Sequence, residues 1–257
     1  MQVLKWDTEK DTFEAGQWFH GRIYERRADL SPDGSMLVYF AQKISLRTLQ
    51  DREYTYAWTA VSRPPYITAL ALWPKGDCWH GGGLFQDNKT LILNHKPDVA
   101  KPHPNHVPHV LQVILKNNVC GEDDPLYSER LQRDGWVLKQ EWVVEYRGYP
   151  LGYTTHQPQI REKHNLDGSM LIRLTRSIEN LDYAEEFAVS NGNDSGFIQL
   201  ERASWVDWDR RGRLVFARDG RIFEGQVGDG MLLNSRELVD LNSATPAPVR
   251  SPDWASR

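Results

Sequence analysis

Ser31-Pro32-Asp33-Gly34-Ser35-Met36-Leu37-Val38-Tyr39-Phe40 passes from turn chemistry to strand chemistry within one short stretch. Pro32 presets φ for the second turn position, Asp33 can bond the backbone further along, and Gly34 tolerates positive φ. The apolar, partly β-branched run that follows suits a strand. The nearest echo is Asn165-Leu166-Asp167-Gly168-Ser169-Met170-Leu171-Ile172-Arg173, which repeats Asp-Gly-Ser-Met-Leu. Looser copies are Pro74-Lys75-Gly76-Asp77-Cys78-Trp79, Asp134-Gly135-Trp136-Val137-Leu138 and Arg211-Gly212-Arg213-Leu214-Val215-Phe216. Their glycines are separated by 42, 59, 33 and 44 residues.

An uneven period of about 40 residues, each unit a turn followed by a short strand, predicts a repeat architecture of diverged β-propeller blades. The expected fold class is therefore all-β: a single β-propeller of about five four-stranded blades, with six as the alternative. A chain of 257 residues suits one such closed domain. Residues 1–242 are assigned to it, with Val3–Trp6 as a strand that would pair with the last blade and close the ring. The Pro-, Ala- and Ser-rich stretch 243–257 is expected to be a disordered tail.

Composition narrows the partners. The chain is 40% hydrophobic and holds ten Trp, ten Tyr and eight Phe, enough for a large core. Its net charge of −4 lacks the basic footprint of a nucleic-acid binder. Cys78 and Cys120 have no motif spacing and read as reduced thiols, so a cytoplasmic location is expected. Neither a signal peptide nor an apolar run of membrane-spanning length occurs, so no membrane partner is expected.

The first unit reads as strands at 18–24, 35–41, 44–49 and 54–59. It contains the densest basic spot, Arg22-Ile23-Tyr24-Glu25-Arg26-Arg27, a solvated surface or an anion- and partner-binding patch. Pro65–Trp73 is almost continuously apolar, as a strand covered on both faces would be. Cys78-Trp79-His80-Gly81-Gly82-Gly83 lacks the Lys and Ser/Thr of a phosphate loop and is read as a close backbone crossing. Residues 95–109 hold four His and four Pro, which excludes a helix and predicts an extended loop. His103, His106 and His109 recur every third residue, so a polyproline-like loop would stack them on one face where they could hold zinc or another divalent metal. No other cofactor is expected. Val110–Leu115 reads as an alternating strand, Cys120–Pro125 as an acidic turn and Tyr127–Arg133 as a helical turn. The clearest unit is the last, with strands at 203–209, 213–217, 221–225 and 237–241.

The runs at 31–39, 165–171 and 208–214 resemble the blade motifs of TolB-like and WD40-like β-propellers, over about residues 20–241, and the general look is similar to that of bacterial propeller proteins. No unit pairs an opening Gly-His with a closing Trp-Asp, so the resemblance implies a fold and carries no catalytic residue. Recognisable nucleophile–base, phosphate-loop or zinc-helix spacings are missing, which favours a non-catalytic protein-interaction or scaffold module. Its partner surface is expected on face loops bearing Arg22, Arg26, Trp79, His80, His103, His106 and His109. The alternative is a hydrolase or lyase whose channel is lined by His20, His80 and His156. Carbohydrate and nucleic-acid binding rank below both.

Overall fold

The Ser31 turn recurs as a conformation as well as a sequence. Gly34, at φ 70°, donates its N–H to Ser31 O at 2.7 Å, Ser31 N–H reaches Met36 O at 2.9 Å, and Asp33 Oδ1 accepts from Ser35 N–H at 3.0 Å. Gly168, at φ 89°, donates to Asn165 O at 3.2 Å, while Asp167 Oδ1 accepts from Ser169 N–H at 2.9 Å. Gly212, at φ 74°, donates to Asp209 O at 2.9 Å, and Asp209 N–H reaches Arg213 O at 3.0 Å. Each of these turns feeds a strand. Gly135 has a different job: its N–H bonds Gln132 O and Trp136 N–H bonds Leu131 O, the paired bonds that end a helix, here α2 (Leu126–Arg133).

This computed structural model describes residues 1–117, 123, 126–142, 158–177, 183–190, 196–228 and 231–256. It is mostly β, with five sheets among these residues. No helix among them is long and apolar enough to cross a membrane. Cys120, His156 and the aromatic stretch beyond Trp142 lie outside the described residues. The chain divides into two compact units: one formed by Met1–Trp6, Phe13–Arg130 and Pro246–Arg257, the other by Asp7–Thr12 and Leu131–Thr245.

In the first unit, β1 (Gln2–Asp7) pairs with β2 (Thr12–Trp18), so Val3–Trp6 lies in an N-terminal hairpin. Next, β3 (Arg22–Leu30), β4 (Leu37–Gln42), β5 (Ala57–Ser62) and β6 (Ala71–Pro74) form an antiparallel sheet in chain order. Alternation sends Ile23, Tyr39, Ala41, Ala60 and Leu72 into one buried cluster. Val38, Val61, Ala71 and Trp73 enter another, with Phe85, Leu91 and Leu93. Both faces are covered, and each large apolar side chain buried there contributes about 1.5–3 kcal/mol. The second cluster is completed by β7 (Gly83–Phe85), β8 (Thr90–Leu93) and β9 (Gln112–Leu115), where β8 and β9 run parallel.

The third strand expected in the first unit, at 44–49, is a helix, α1 (Leu46–Gln50). Ser45 caps it: its hydroxyl accepts from Thr48 N–H at 3.1 Å, and Thr48 Oγ1 accepts from Ser45 N–H at 2.9 Å. Those reciprocal bonds satisfy the first-turn amides locally. The strand slot goes to β5 instead. At the other end of the chain, Pro246–Arg257 packs into the first unit, with a short 3-10 turn at Asp253–Ser256 and Ala255 fully buried.

In the second unit, β10 (Val137–Glu141), β11 (Gln159–His164), β12 (Met170–Ser177), β13 (Tyr183–Ser190) and β14 (Ile198–Gln199) form one antiparallel meander. Another comprises β15 (Ala203–Trp208), β16 (Leu214–Arg218), β17 (Arg221–Gly228) and β18 (Met231–Asp240), close to the strands expected for the last unit. The turn Asp7–Thr12 is tied to this sheet by Arg213. Its guanidinium donates to Asp209 and Glu224 Oε2 at 2.7 Å each, to Asp11 at 2.8 and 2.9 Å, and to Thr8 O at 3.0 Å. Charge-assisted bonds on this scale hold Asp11 far below the ordinary carboxylate range, chiefly through Arg213.

Candidate partner-binding site

The site begins with a break in register. Tyr24 pairs with Phe40 and Asp29 with Val38, so residues 25–28 face Tyr39 alone and bulge out of the ladder. Arg130 closes the bulge by donating to Glu25 O at 2.9 Å and to Ala28 O. Asp29 Oδ2 fixes its far end by accepting from Phe85 N–H at 2.8 Å. The bulge turns Arg26 and Arg27 inward, and both are buried.

Arg27 then organises the next loop. Its Nε donates to Asp123 Oδ1 at 2.8 Å, and its Nη1 donates to Cys78 O at 2.7 Å and His80 O at 2.9 Å. The guanidinium plane lies 4.8 Å from the Tyr24 ring centre and 5.3 Å from that of Phe40. His80, Gly81 and Gly82 follow with φ of 62°, 96° and 76°. Three consecutive left-handed residues persist only where the surroundings impose them, and His80 is strained there. The loop base rests on buried polar groups: Gly82 N–H donates to Thr59 Oγ1 at 2.8 Å, and the Thr59 hydroxyl donates to His95 Nε2 at 2.8 Å. His95 Nδ1–H donates to Val99 O at 3.0 Å, and burial lowers this imidazole to about 4, so it is neutral.

Trp79 stands on this fixed loop 48% exposed. Beside it, Cys78 Sγ accepts from Gln42 Nε2 at 2.8 Å, and Tyr24 OH donates to Gln42 Oε1 at 3.1 Å. Arg22 pairs with Gln42 across the strands, its guanidinium 4.4 Å over Tyr24. Arg22 is exposed and, among the described residues, its side chain makes no hydrogen bond or ion pair. Just beyond Gln42 the chain presents Ile44, Leu46 and Leu49, which are 65%, 83% and 52% exposed. Lys43, Arg47 and Arg52, all exposed, flank them along the chain, together with half-buried Asp51 and exposed Glu53. Exposed apolar side chains beside exposed cations can desolvate apolar anchors and meet carboxylates next to them.

Of the residues expected at a partner surface, Arg22, Trp79 and His80 gather here. Arg26 is instead inside the bulge, 4.8 Å over the Tyr127 ring, and cannot reach a partner as it stands. The histidine loop does not keep its three imidazoles on one face: His103 is buried, His106 half-buried and His109 exposed. Backbone bonds explain this, since His103 N–H donates to Leu72 O at 2.8 Å and Leu72 N–H to His106 O at 3.1 Å, fastening the loop to β6. His103 stacks on Tyr54 at 4.1 Å, accepts from Asn105 N–H at Nδ1 and donates from Nε2 to Glu53 at 3.0 Å. Both its ring nitrogens are engaged, and His106 Nδ1–H is spent on Ala69 O at 3.0 Å. Among the described residues no three His, Cys, Asp or Glu side chains converge as metal ligands.

Ile44, Leu46 and Leu49 are not among the residues expected at a partner surface, because their spacing in the sequence alternates as a strand does. The signal that separates the readings is Ser45 three residues before Thr48, a helix-capping pair. Comparison with known proteins finds no matching family model, curated protein or solved structure.

Proposed function

We propose that this chain is a non-catalytic interaction module that holds a segment of a partner protein across Trp79, Ile44, Leu46 and Leu49. The partner segment carries apolar anchors flanked by Asp or Glu, which meet Arg22, Lys43 and Arg47. The observation that carries the reading is Trp79, an exposed aromatic on a loop whose backbone is held by buried Arg27, so little ordering entropy opposes its use as an anchor. The fold reading attached to it is a propeller-like array in which each meander is a blade. The chain-order sheets β3–β6, β10–β14 and β15–β18 support it, whereas the parallel β8–β9 pair departs from the blade pattern. The free thiol of Cys78 supports a reducing, cytoplasmic setting.

A displayed random-peptide library selected on the full chain tests the module. Selected peptides should be rich in Asp and Glu beside Leu, Phe or Trp, and their binding should weaken with salt. Trp79→Ala should weaken them about 30-fold and Leu46→Asp should abolish them. Peptides without acidic residues, or binding unchanged in both variants, would reject the surface.

A further inference from the structure

A second surface lies elsewhere in the first unit, and it does not depend on the Trp79 site. The closing stretch, Pro246-Ala247-Pro248-Val249-Arg250, crosses beside β2 as a strap and borders an open cavity of 830 Å³. Gln17 holds the strap: its Nε2 donates to Val249 O and to Ser251 Oγ at 3.0 Å each, while its Oε1 accepts from Ile67 N–H at 2.8 Å. Thr68 and Ser251 share a short hydroxyl bond, and Trp254 packs edge-on against Tyr66 at 5.6 Å. The Gln17 amide and Thr68 hydroxyl are therefore engaged in securing the strap, and most of the surface left over is apolar, with Trp18, Ile67 and Pro248 in its lining.

Two cations remain. His20 and Arg250 line the cavity and are exposed, and among the described residues neither side chain makes a hydrogen bond or ion pair. No Asp or Glu lines it. A volume of this size falls within the range of about 300–1,000 Å³ typical of small-molecule sites, which combine an apolar lining with a few placed polar groups. We propose that this cavity binds a small, flat apolar carboxylate, with its hydrocarbon body against Trp18, Ile67 and Pro248 and its carboxylate on Arg250 and His20.

The test is titration of naphthoate into the full chain, read by calorimetry and by the indole N–H resonance of Trp18, with naphthylmethanol as the uncharged control. Binding should saturate at one site, shift the Trp18 resonance and favour the carboxylate over the alcohol by about tenfold, the value of one charge-assisted contact. Ala247→Trp, a change on the exposed strap, should abolish binding. Arg250→Ala should lower affinity about tenfold and Arg250→Lys should restore most of it. Trp79→Ala should leave naphthoate binding unchanged, which separates this site from the partner surface. An unmoved Trp18 resonance, equal affinity for the alcohol, or undiminished binding by Ala247→Trp would overturn the proposal.

Discussion

At the residue scale, His95 is constrained at both ring nitrogens. Nδ1 carries the proton because Val99 O can only accept, which leaves Nε2 as the acceptor for the Thr59 hydroxyl. Protonating Nε2 would oppose the Thr59 hydroxyl and place a charge in a fully buried position. The folded value is about 4 against an ordinary 6.5, so between those values the unfolded chain takes up a proton that the folded chain refuses. This contribution to stability is complete above about pH 6.5 and is lost as pH falls toward about 4, by up to about 1.4 kcal/mol per pH unit. The carboxylates of Asp11, Asp33 and Glu224, all held below their ordinary values, add their own losses only at lower pH. Urea unfolding at about pH 5.2 and pH 6.5 should therefore differ for the native chain. His95→Asn, which keeps a donor near Nδ1 without a titrating ring, should flatten that difference. An undiminished pH slope in His95→Asn would assign the effect to another group.

Among elements, loops with similar glycines differ in what surrounds them. Gly34 at φ 70° has nothing within 4 Å of the place a Cβ would occupy. A Cβ on Gly82, at φ 76°, would lie 2.2 Å from Arg27 O, backbone that cannot step aside. Gly34→Ala should thus cost about 1 kcal/mol for the left-handed backbone alone. Gly82→Ala should cost about 3 kcal/mol or more and should also loosen the seat of Trp79. Chemical denaturation of the two variants checks this; equal small losses would mean that the 78–82 loop is not fixed by Arg27. The same contrast explains which elements were legible. Asp-Gly turns at 31–34 and 165–168 are held mainly by their own side chains and amides, with one remote bond each, Asp33 N–H to Asn88 and Asn165 to Gly212 O, so sequence shows them and the strands they launch. The last meander reads well for the same reason, because β15, β16 and β17 are joined by short turns at Gly212 and Gly220. Asp134-Gly135 looks alike on paper, yet its glycine closes a helix whose start lies outside the motif. Ile44–Leu49 alternates like a strand while Ser45 and Thr48 cap a helix, and two side-chain hydrogen bonds outweigh a weak periodicity. Within the site, Arg22 and Trp79 were legible by residue type. The burial of Arg26 was not, since it depends on Arg130 closing the bulge from a remote part of the chain.

On the scale of the whole molecule, neither unit is a continuous segment. The first is assembled from three stretches and the second from two, with Asp7–Thr12 counted in the second unit although its flanks belong to the first. Composition and glycine spacing carry no mark of this division, because membership is decided by long-range bonds such as those of Arg213 to Asp11 and of Gln17 to Val249. One consequence is that the first unit is complete only when residues 246–257 return to it. Ending the chain at Thr245 removes fully buried Ala255, leaves the Gln17 amide without Val249 O and Ser251 Oγ, and uncovers Tyr66. Losing two hydrogen bonds and this packing should cost the first unit about 2–4 kcal/mol. The loss should be local, because opening free energies differ between cooperative segments of one protein. Hydrogen exchange of the shortened chain should show faster exchange for the amides of β2 and of Ile67, while those of β16 and β17 keep their protection. Uniform acceleration in both units would show that they unfold as one body, and unchanged protection in β2 would show that the strap contributes nothing to the unit it joins.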